Sequence, residues 1–276
     1  MIEIPESTTI SRQANDVLTG KMIAQVIESN SPHRFAFYNG DPANYNQLLA
    51  GKTIVQTHGR GAFVDILLTD DTHLLIGDGT NMRYYTNAEK APAKYQLLVV
   101  FTDESFLAFT VAMYGAIYAF QGEFDNPYYQ GSLRKINPLD ESFDITYFRD
   151  LRKGLKKDLS AKAFLATEQR IPGLGNGSLQ DILFNAGINP KRKVSTLSDE
   201  DFDRLFHTLK STLAEMTRQG GRDTEKDLQG AWGNYRVILS KNTFSDPCPV
   251  CGDRILKEAY LGGAVYYCPN CQPSVK

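Results

Sequence analysis

Cys248-Pro-Val-Cys251-Gly252 and Cys268-Pro-Asn-Cys271-Gln272 lie near the end of the chain and hold all four of its cysteines within the last 29 residues. Sixteen residues separate the two Cys-x-x-Cys pairs, so two tight turns can face each other across a β-hairpin and surround one Zn²⁺. Two disulfides or four free thiols are the alternatives. The other 247 residues contain no cysteine, and this favours a reducing compartment and metal-bound thiolates. Four protein ligands fill a tetrahedral site, so the predicted zinc is structural.

The length of 276 residues predicts two or three domains, and a hydrophobic share of 42% is enough for buried cores. No apolar run approaches the roughly 20 residues of a membrane span. The first ten residues, MIEIPESTTI, lack the basic start and apolar core of an export signal. We therefore expect a soluble, cytoplasmic monomer without a membrane partner.

The two halves of the chain differ in charge although the net charge is only −2. Residues 1–150 hold 11 Lys+Arg and 18 Asp+Glu, a net of −7, whereas residues 151–276 hold 19 and 14, a net of +5. A polyanionic partner would therefore meet mainly the second half. Ordinary charge scatter between two domains is the alternative.

The first half has the composition of a β-sandwich. Its Val-, Ile-, Phe-, Tyr- and Thr-rich stretches, separated by turn residues, predict strands at 53–66, 72–76, 96–102 and 106–120. One helix is predicted before them, at about 11–19. A stretch at 122–142 that contains Pro and Asp is predicted to be a linker.

The second half changes to a helical period. Phe148, Leu151, Leu155 and Leu159 recur at helix spacing, and Ser160 is a candidate cap for a helix with Phe164 and Leu165. Further helices are predicted from Ser178 to Ala186 and from Ser198 to Met216, the latter capped by Ser198. After Gly220-Gly221 the chain is expected to be irregular as far as the zinc hairpin.

A glycine-rich loop at 171–177 (IPGLGNG) joins two of these helices. A dinucleotide-binding loop would have to follow a buried strand, and here a helix precedes it. The glycines instead allow close approach of a backbone, and the next helix presents free N–H groups beside Asn176. Such a helix start favours phosphate binding.

Three motifs, in chain order, match one family. Glu3, Pro5 and Glu6 fit its opening motif, 173–176 (GLGN) with 183–188 (LFNAGI) fits its helix–two-turn–helix, and 248–272 fits its zinc hairpin. The chain thus resembles the formamidopyrimidine-DNA glycosylase and endonuclease VIII family of base-excision repair.

The resemblance spans the whole chain and implies an α+β multidomain fold with double-stranded DNA in a cleft between two lobes. The expected domains are an N-terminal β-sandwich (1–125), a linker (126–142), a helix–two-turn–helix DNA-binding domain (143–240) and a four-cysteine zinc β-hairpin (241–276).

Three catalytic positions of that family are altered. Its nucleophile is a proline that follows the initiator methionine and forms a Schiff base with the sugar of the damaged nucleotide; here that position is Ile2. A bulky second residue should block removal of Met1. The lysine of a family motif Arg-Gly-Lys-Tyr corresponds to Ala62, within 60–63 (RGAF), and the arginine at the hairpin tip corresponds to Gly263.

The wedge segment of the family is altered too. Where the family has an arginine and a phenylalanine that fill the gap left by a flipped base, this chain reads 112–115 (AMYG). Met113 and Tyr114 could still wedge between bases, but without the hydrogen bonds of a guanidinium.

The remaining candidate site residues follow from the matched motifs. Glu3 corresponds to the acid/base group beside the sugar, with a salt-bridged surface carboxylate as the alternative. Asn176 and Gly175 are expected at a DNA phosphate, with a plain helix cap as the alternative for Asn176. Arg60 in its turn motif, and Lys191 with Arg192, are further candidate DNA contacts, with solvated surface as the alternative for the last two.

Three function classes remain open. The chain could be a DNA-binding protein that recognises damaged or distorted duplex without the standard glycosylase and lyase reaction. It could be an active enzyme with a relocated mechanism, using the Met1 amine, whose ordinary pKa of about 7.7–8.0 leaves it partly neutral, or water activated by Glu3. It could also be an RNA- or protein-binding module built on the same scaffold.

Overall fold

Two sheets face each other in the first half of the chain, around one apolar core. The computed structural model describes residues 1–87 and 91–274; residues 88–90 and 275–276, which fall within the predicted first and last domains, lie outside the described part. One sheet has the strand order β1-β7-β8-β6 and the other β2-β9-β5-β4-β3. The strands are β1 (Ile23–Glu28), β2 (Ala36–Tyr38), β3 (Ile54–Arg60), β4 (Phe63–Leu68), β5 (Thr72–Ile76), β6 (Thr80–Tyr85), β7 (Leu97–Phe101), β8 (Phe106–Val111) and β9 (Gly115–Gln121).

The expected β-sandwich is confirmed, but some strand limits were wrong. The stretch 53–66 contains two strands, β3 and β4, which pair as a hairpin about the turn at Gly61 (φ +61°). The stretch 106–120 likewise contains β8 and β9, separated by residues 112–114. The short strands β1, β2 and β6 were not predicted.

The helices are α1 (Ile4–Leu18), α2 (Tyr45–Leu49), α3 (Pro127–Arg134), α4 (Ile145–Lys153), α5 (Ala161–Ala166), α6 (Asn176–Asn185) and α7 (Asp199–Arg218). Ser160 and Ser198 cap α5 and α7 as expected, each accepting a backbone N–H three residues on. Such caps depend on short-range hydrogen bonds, and this explains why the sequence pattern locates them.

Three helix predictions need correction. α1 begins at Ile4 rather than near residue 11, since Glu6 accepts the backbone N–H of Glu3 and Pro5 suits a first turn. α4 ends at Lys153, so Leu155 and Leu159 pack on the helical core from outside the helix. α6 begins at Asn176, two residues before the predicted start.

The predicted linker is not free of regular structure. Within it lies α3, capped by Asn126, whose side chain accepts N–H bonds from Tyr128 and Tyr129. Tyr129 is buried and donates to Asp65 of β4 at 2.7 Å, which holds α3 against the sandwich. The proposed domain limits themselves stay predictions.

The last strands, β10 (Leu256–Tyr260) and β11 (Gly263–Tyr267), form the hairpin between the two cysteine pairs. α1 joins the two larger cores. Its residue Ile4 lies in the helical core, whereas Ile10, Ala14 and Leu18 lie in the sandwich core. No helix among the described residues is long and apolar enough to cross a membrane.

Leu228 makes a second link between the lobes. It follows α7 in the chain, yet it is fully buried in the sandwich core. We expect Leu228→Ala to lower the free energy of unfolding by about 2–5 kcal/mol, as for other large-to-small core changes. Denaturant unfolding measures this. Leu133→Ala, at a side chain that is 41% exposed, is the control and should cost far less; equal losses would contradict the role given to Leu228.

Candidate functional site

The four cysteines come together at the base of the β10–β11 hairpin. Their Sγ atoms all lie within 4.8 Å of one another, with 3.7 Å between Cys248 and Cys271 and 3.4 Å between Cys251 and Cys268. A disulfide needs an S–S distance of about 2.05 Å. Four sulfurs at about 2.3 Å from a tetrahedral metal would lie about 3.8 Å apart. The cluster therefore has the size and donor set of a metal site and not of two disulfides.

The hairpin is docked onto α6 by side-chain amides. The carbonyl of Ala264 accepts bonds from Asn176 Nδ2 at 3.1 Å and Gln180 Nε2 at 3.0 Å. Gln180 Oε1 in turn accepts the N–H of Tyr266 at 3.2 Å. Asn176 Oδ1 is buried and has no hydrogen-bond partner among the described residues. Asn176 therefore positions the hairpin and keeps one unused acceptor and an unused N–H.

Asp181 anchors the segment that leads into the hairpin. It is fully buried in α6, and its two oxygens accept the N–H groups of Ile238 and Leu239, each at 2.9 Å. Burial raises the pKa of Asp181 to about 6, although these N–H groups and Tyr235 act in the opposite direction. The helix thus holds both the hairpin and the chain that precedes it.

Glu3 caps the same helix from the far end of the chain. Its carboxylate accepts the backbone N–H of Gly175 at 3.2 Å and those of Gly177 and Ser178 at 2.8 Å each. These N–H groups have no acceptor within the first turn of a helix, and the helix dipole favours an anion there. Glu3 is only 4% exposed.

Arg222 completes a buried ion cluster with Glu3 and Glu6. Its guanidinium donates to Glu6 Oε1 at 2.9 Å and Oε2 at 2.7 Å, to Glu3 Oε1 at 3.3 Å and to the carbonyl of Met1 at 3.0 Å. Burial by itself would raise the pKa of Glu6, but the charge and hydrogen bonds of Arg222 outweigh it and hold that pKa below 4.5. Sequence reasoning missed this partner, because Arg222 follows a double glycine without any motif spacing.

Close packing explains two of the loop glycines. A Cβ on Gly177 would lie 1.6 Å from Arg222 Nη1, so only glycine leaves room for the guanidinium. Gly61, at positive φ, packs its backbone against Pro172, where a Cβ would come within 2.9 Å. The β3–β4 turn and the 171–177 loop therefore meet backbone to backbone.

A cavity of about 600 Å³ opens between the lobes, and we call it the cleft pocket. Its wall combines the start of the chain, the β8–β9 turn, part of the chain after α7, and the hairpin tip. The lining includes Met1, Ile2, Glu6, Met82, Arg83, Met113, Tyr114, Glu225, Lys226, Lys241 and Gly262. Met113 is 74% and Tyr114 40% exposed, so both candidate wedge residues stand at its edge.

The nitrogen of Met1 reaches the wall of this pocket. It forms an ion pair with Glu225, and the Tyr114 hydroxyl contacts both Met1 Sδ at 3.2 Å and Asp78 Oδ2 at 3.3 Å. Burial raises the pKa of Asp78 to about 6, against the opposing effects of the nearby amine and of Tyr114. Ile2 also lines this pocket, but its side chain is only 6% exposed and packs in the sandwich core.

Two lysines that sequence reasoning did not single out lie near the hairpin tip. Lys162 is 4% exposed, and its Nζ donates to the carbonyl of Tyr260 at 2.7 Å. A Cβ on Gly263 would lie 3.6 Å from that Nζ and 3.8 Å from Asn176. Burial lowers the pKa of Lys162. Lys241 lines the cleft pocket together with Gly262.

Two other candidate DNA contacts lie elsewhere. Arg60 lines a separate cavity of about 410 Å³ between the β3–β4 turn and residues 132–137. Lys191 forms an ion pair with Glu258 of β10, and its Nζ is 5.9 Å from the centre of the Tyr260 ring. Neither lines the cleft pocket, and their contact with DNA stays a prediction.

The sandwich, the capped α6 and the four-cysteine hairpin, arranged around one cleft, are the architecture of a base-excision DNA glycosylase. Residues 1–118 match the family model "Formamidopyrimidine-DNA glycosylase N-terminal domain" and residues 135–227 match "Formamidopyrimidine-DNA glycosylase H2TH domain". The formamidopyrimidine-DNA glycosylase of Listeria monocytogenes is 31% identical over 284 residues, which cover 99% of this chain and all of that protein. The chain belongs to the formamidopyrimidine-DNA glycosylase family.

Other relatives agree with this assignment. The formamidopyrimidine-DNA glycosylase of Brevibacillus brevis is 30% identical over 99% of both chains. The MutM (Fpg) protein of Thermus thermophilus has the same fold, with a TM-score of 0.82 at 24% identity over 99% of this chain and 100% of that one. Fpg of Lactococcus lactis, solved with DNA containing an abasic site, also has this fold, with a TM-score of 0.83 at 22% identity and the same coverage.

Replacing Arg222 tests the buried ion cluster. We expect Arg222→Ala to lower the free energy of unfolding at neutral pH by about 3–5 kcal/mol, because two buried carboxylates lose their cation. Arg222 holds the folded pKa of Glu6 below its ordinary 4.5. The Glu6 contribution is therefore present above that pH and is lost as the pH falls through the folded pKa. Unfolding in urea across this range measures the loss, which should shrink in acid.

Arg218→Ala is the matched control for Arg222→Ala. Arg218 pairs with Glu215 one turn away on the surface of α7, with the arginine side chain 71% exposed. Removing such an exposed pair changes stability little. Equal effects of the two substitutions at neutral pH would refute the assigned role of Arg222.

Proposed function

We propose that this chain is a DNA-binding protein that recognises damaged or distorted duplex DNA without the standard proline Schiff-base glycosylase and lyase reaction. One observation carries this proposal. The second residue is an isoleucine buried in the sandwich core, and the Glu3 carboxylate is already bound by three backbone N–H groups and Arg222. Ile2 thus stands in place of the family's nucleophile, and the carboxylate of the neighbouring Glu3 is already engaged in hydrogen bonds.

The other altered positions point the same way. Ala62 stands where the family motif has a lysine, and Gly263 stands where the hairpin tip has an arginine. Loss of one catalytic group commonly reduces a rate by about 10²- to 10⁴-fold. Three such losses favour binding over turnover.

The groups that would grip DNA remain. Asn176 and the buried Lys162 lie beside the hairpin tip, Lys241 lines the cleft pocket, and Met113 and Tyr114 are exposed at its edge. Cations bind phosphates, and apolar wedges enter the base stack at weakened steps. The abasic-site complex of the Lactococcus lactis protein supports duplex DNA as the partner.

Zinc is the proposed metal of the four-cysteine cluster. Four thiolates at tetrahedral separations are the donor set that structural Zn²⁺ prefers. Bound there by Cys248, Cys251, Cys268 and Cys271, the ion would crosslink the hairpin and supply folding energy but no chemistry.

A second candidate function has its own supporting observation. The Met1 nitrogen stands in the wall of the cleft pocket beside Glu225. As a neutral amine it could attack C1′ of an abasic sugar and form a Schiff base with loss of water. Water activation by Glu3 is the less favoured route, because its carboxylate is buried and fully engaged.

Binding and cleavage on matched intact, abasic and oxidised-base duplexes separate these functions. We expect affinity to fall steeply with salt, since each phosphate contact adds about −0.9 to the slope of log K against log [salt]. We expect no strand cleavage and no borohydride-trapped adduct. Lys241→Gln, at an exposed lysine that lines the cleft pocket, should reduce the salt slope, whereas Lys153→Gln, at an exposed pair on α4, should not.

Three outcomes contradict the proposal in different ways. A trapped adduct that disappears when the terminal amine is acetylated would establish the Met1 mechanism. Base release without an adduct would establish hydrolysis by water. If duplex binding does not depend on salt, the remaining function class, an RNA- or protein-binding module, would be favoured.

Metal removal tests the zinc assignment. We expect one zinc per chain, and a chelator should unfold the hairpin and weaken DNA binding, because folding of such a site depends on the metal. Elemental analysis and circular dichroism before and after chelation measure this. Cys268→Ser should reproduce the chelated state, and a chelator-resistant protein without zinc would contradict the assignment.

A further inference from the structure

A rigid turn at residues 225–233 borders the cleft pocket. Gly233 donates its N–H to the carbonyl of Glu225 at 3.0 Å, and Asp227 donates to that of Ala231 at 2.8 Å. The Asp227 side chain also accepts the N–H groups of Gln229 and Ala231 at 3.0 and 2.9 Å. These bonds hold the turn in one shape.

The same turn is fastened to the sandwich. Leu228 is buried there. Its N–H donates to Gln13 Oε1 at 3.0 Å, and its carbonyl accepts the N–H of Tyr84 at 3.0 Å. Gln13 Nε2 donates to Asp227 Oδ2 at 2.8 Å. The turn therefore belongs to the fixed wall of the cleft and does not act as a loose loop.

This fixed turn carries the only tryptophan of the chain. Trp232 is 59% exposed, and Lys226 Nζ lies 4.8 Å from its ring centre. Lys226 pairs with Trp232 across the turn and also lines the cleft pocket. An exposed ring, a cation against it and the pocket mouth are thus adjacent.

We propose that Trp232, backed by Lys226, is a stacking platform for a nucleobase displaced from the bound duplex. This inference rests on the proposed function, since it needs duplex DNA in the cleft. An aromatic face held in place loses little entropy on binding, and every base has a π-face that can stack on it. Lys226 adds a cation that attracts the adjacent phosphate.

The platform defines a class of preferred DNA. Stacking on one ring is tolerant of base identity, so the ligand is a duplex with any base that is easily unpaired. Mispaired and damaged bases leave the helix at the lowest cost. A duplex with an abasic site has no base to stack, and the platform contributes nothing there.

Trp232→Ala measured on two duplexes of one sequence tests the platform. One duplex carries a mispaired base and the other a tetrahydrofuran abasic analogue at the same position. We expect the substitution to weaken binding to the mispaired duplex by about 5- to 150-fold and to leave the abasic duplex nearly unchanged. Trp232→Phe should recover most of the loss, and Tyr128→Ala, at a ring of equal 59% exposure on α3, should weaken neither.

Fluorescence gives a second readout. With a single tryptophan in the chain, the emission of the wild-type protein reports Trp232 alone. We expect quenching by the mispaired duplex and little change with the abasic one at equal saturation.

The outcomes distinguish the two proposals. Salt-dependent binding with equal effects of Trp232→Ala on both duplexes, or with unchanged emission, overturns the platform and leaves the proposed function intact. Absence of binding to every duplex overturns both.

Discussion

One buried carboxylate near the start of the chain, that of Glu3, connects segments that are far apart in the sequence. Glu3 caps α6 through three backbone N–H groups, and Arg222 pairs with it across 219 residues of sequence. Burying a carboxylate costs several kcal/mol unless it is fully paired, and here the helix N-terminus and the guanidinium together satisfy it. The same helix carries Asn176, Gln180 and Asp181, which hold the hairpin and the segment before it. α6 is therefore fixed both to the start of the chain and to the hairpin.

The hydrogen bonds of Glu3 also bear on its chemistry. In a working acid or base the carboxylate must be free to exchange a proton with substrate, whereas Glu3 is buried and engaged on both oxygens. The cleft pocket beside it keeps exposed apolar side chains, lysines and the Met1 nitrogen. The relatives' names connect the family with glycosylase activity. Under the proposed function, this chain keeps the fold of the family and binds DNA without that reaction.

Local patterns in the sequence predicted much of this fold. The cysteine spacing, the serine caps of α5 and α7 and the β-rich first half were all readable because each depends on neighbours within a few residues. The start of α1 was missed although Glu3, Pro5 and Glu6 signalled it. The strand pattern ran through Gly61 because the stretch is uniformly β-rich there, and only the resemblance marked 60–63 as a turn motif. Leu155 and Leu159 have helical spacing but lie beyond α4, since tertiary burial and not the helix itself places them.

The family resemblance, the four-cysteine hairpin and the residues Ile2, Ala62 and Gly263 could be recognised from the order of amino acids alone, because identity and short spacing are written directly in the chain. The pairing of the charged groups became visible only in the folded chain. Arg222 meets Glu3 and Glu6, Met1 meets Glu225, and Lys162 lies beside Asn176. None of these pairs has a periodic or local signature, since each joins separate segments that meet only in the folded chain.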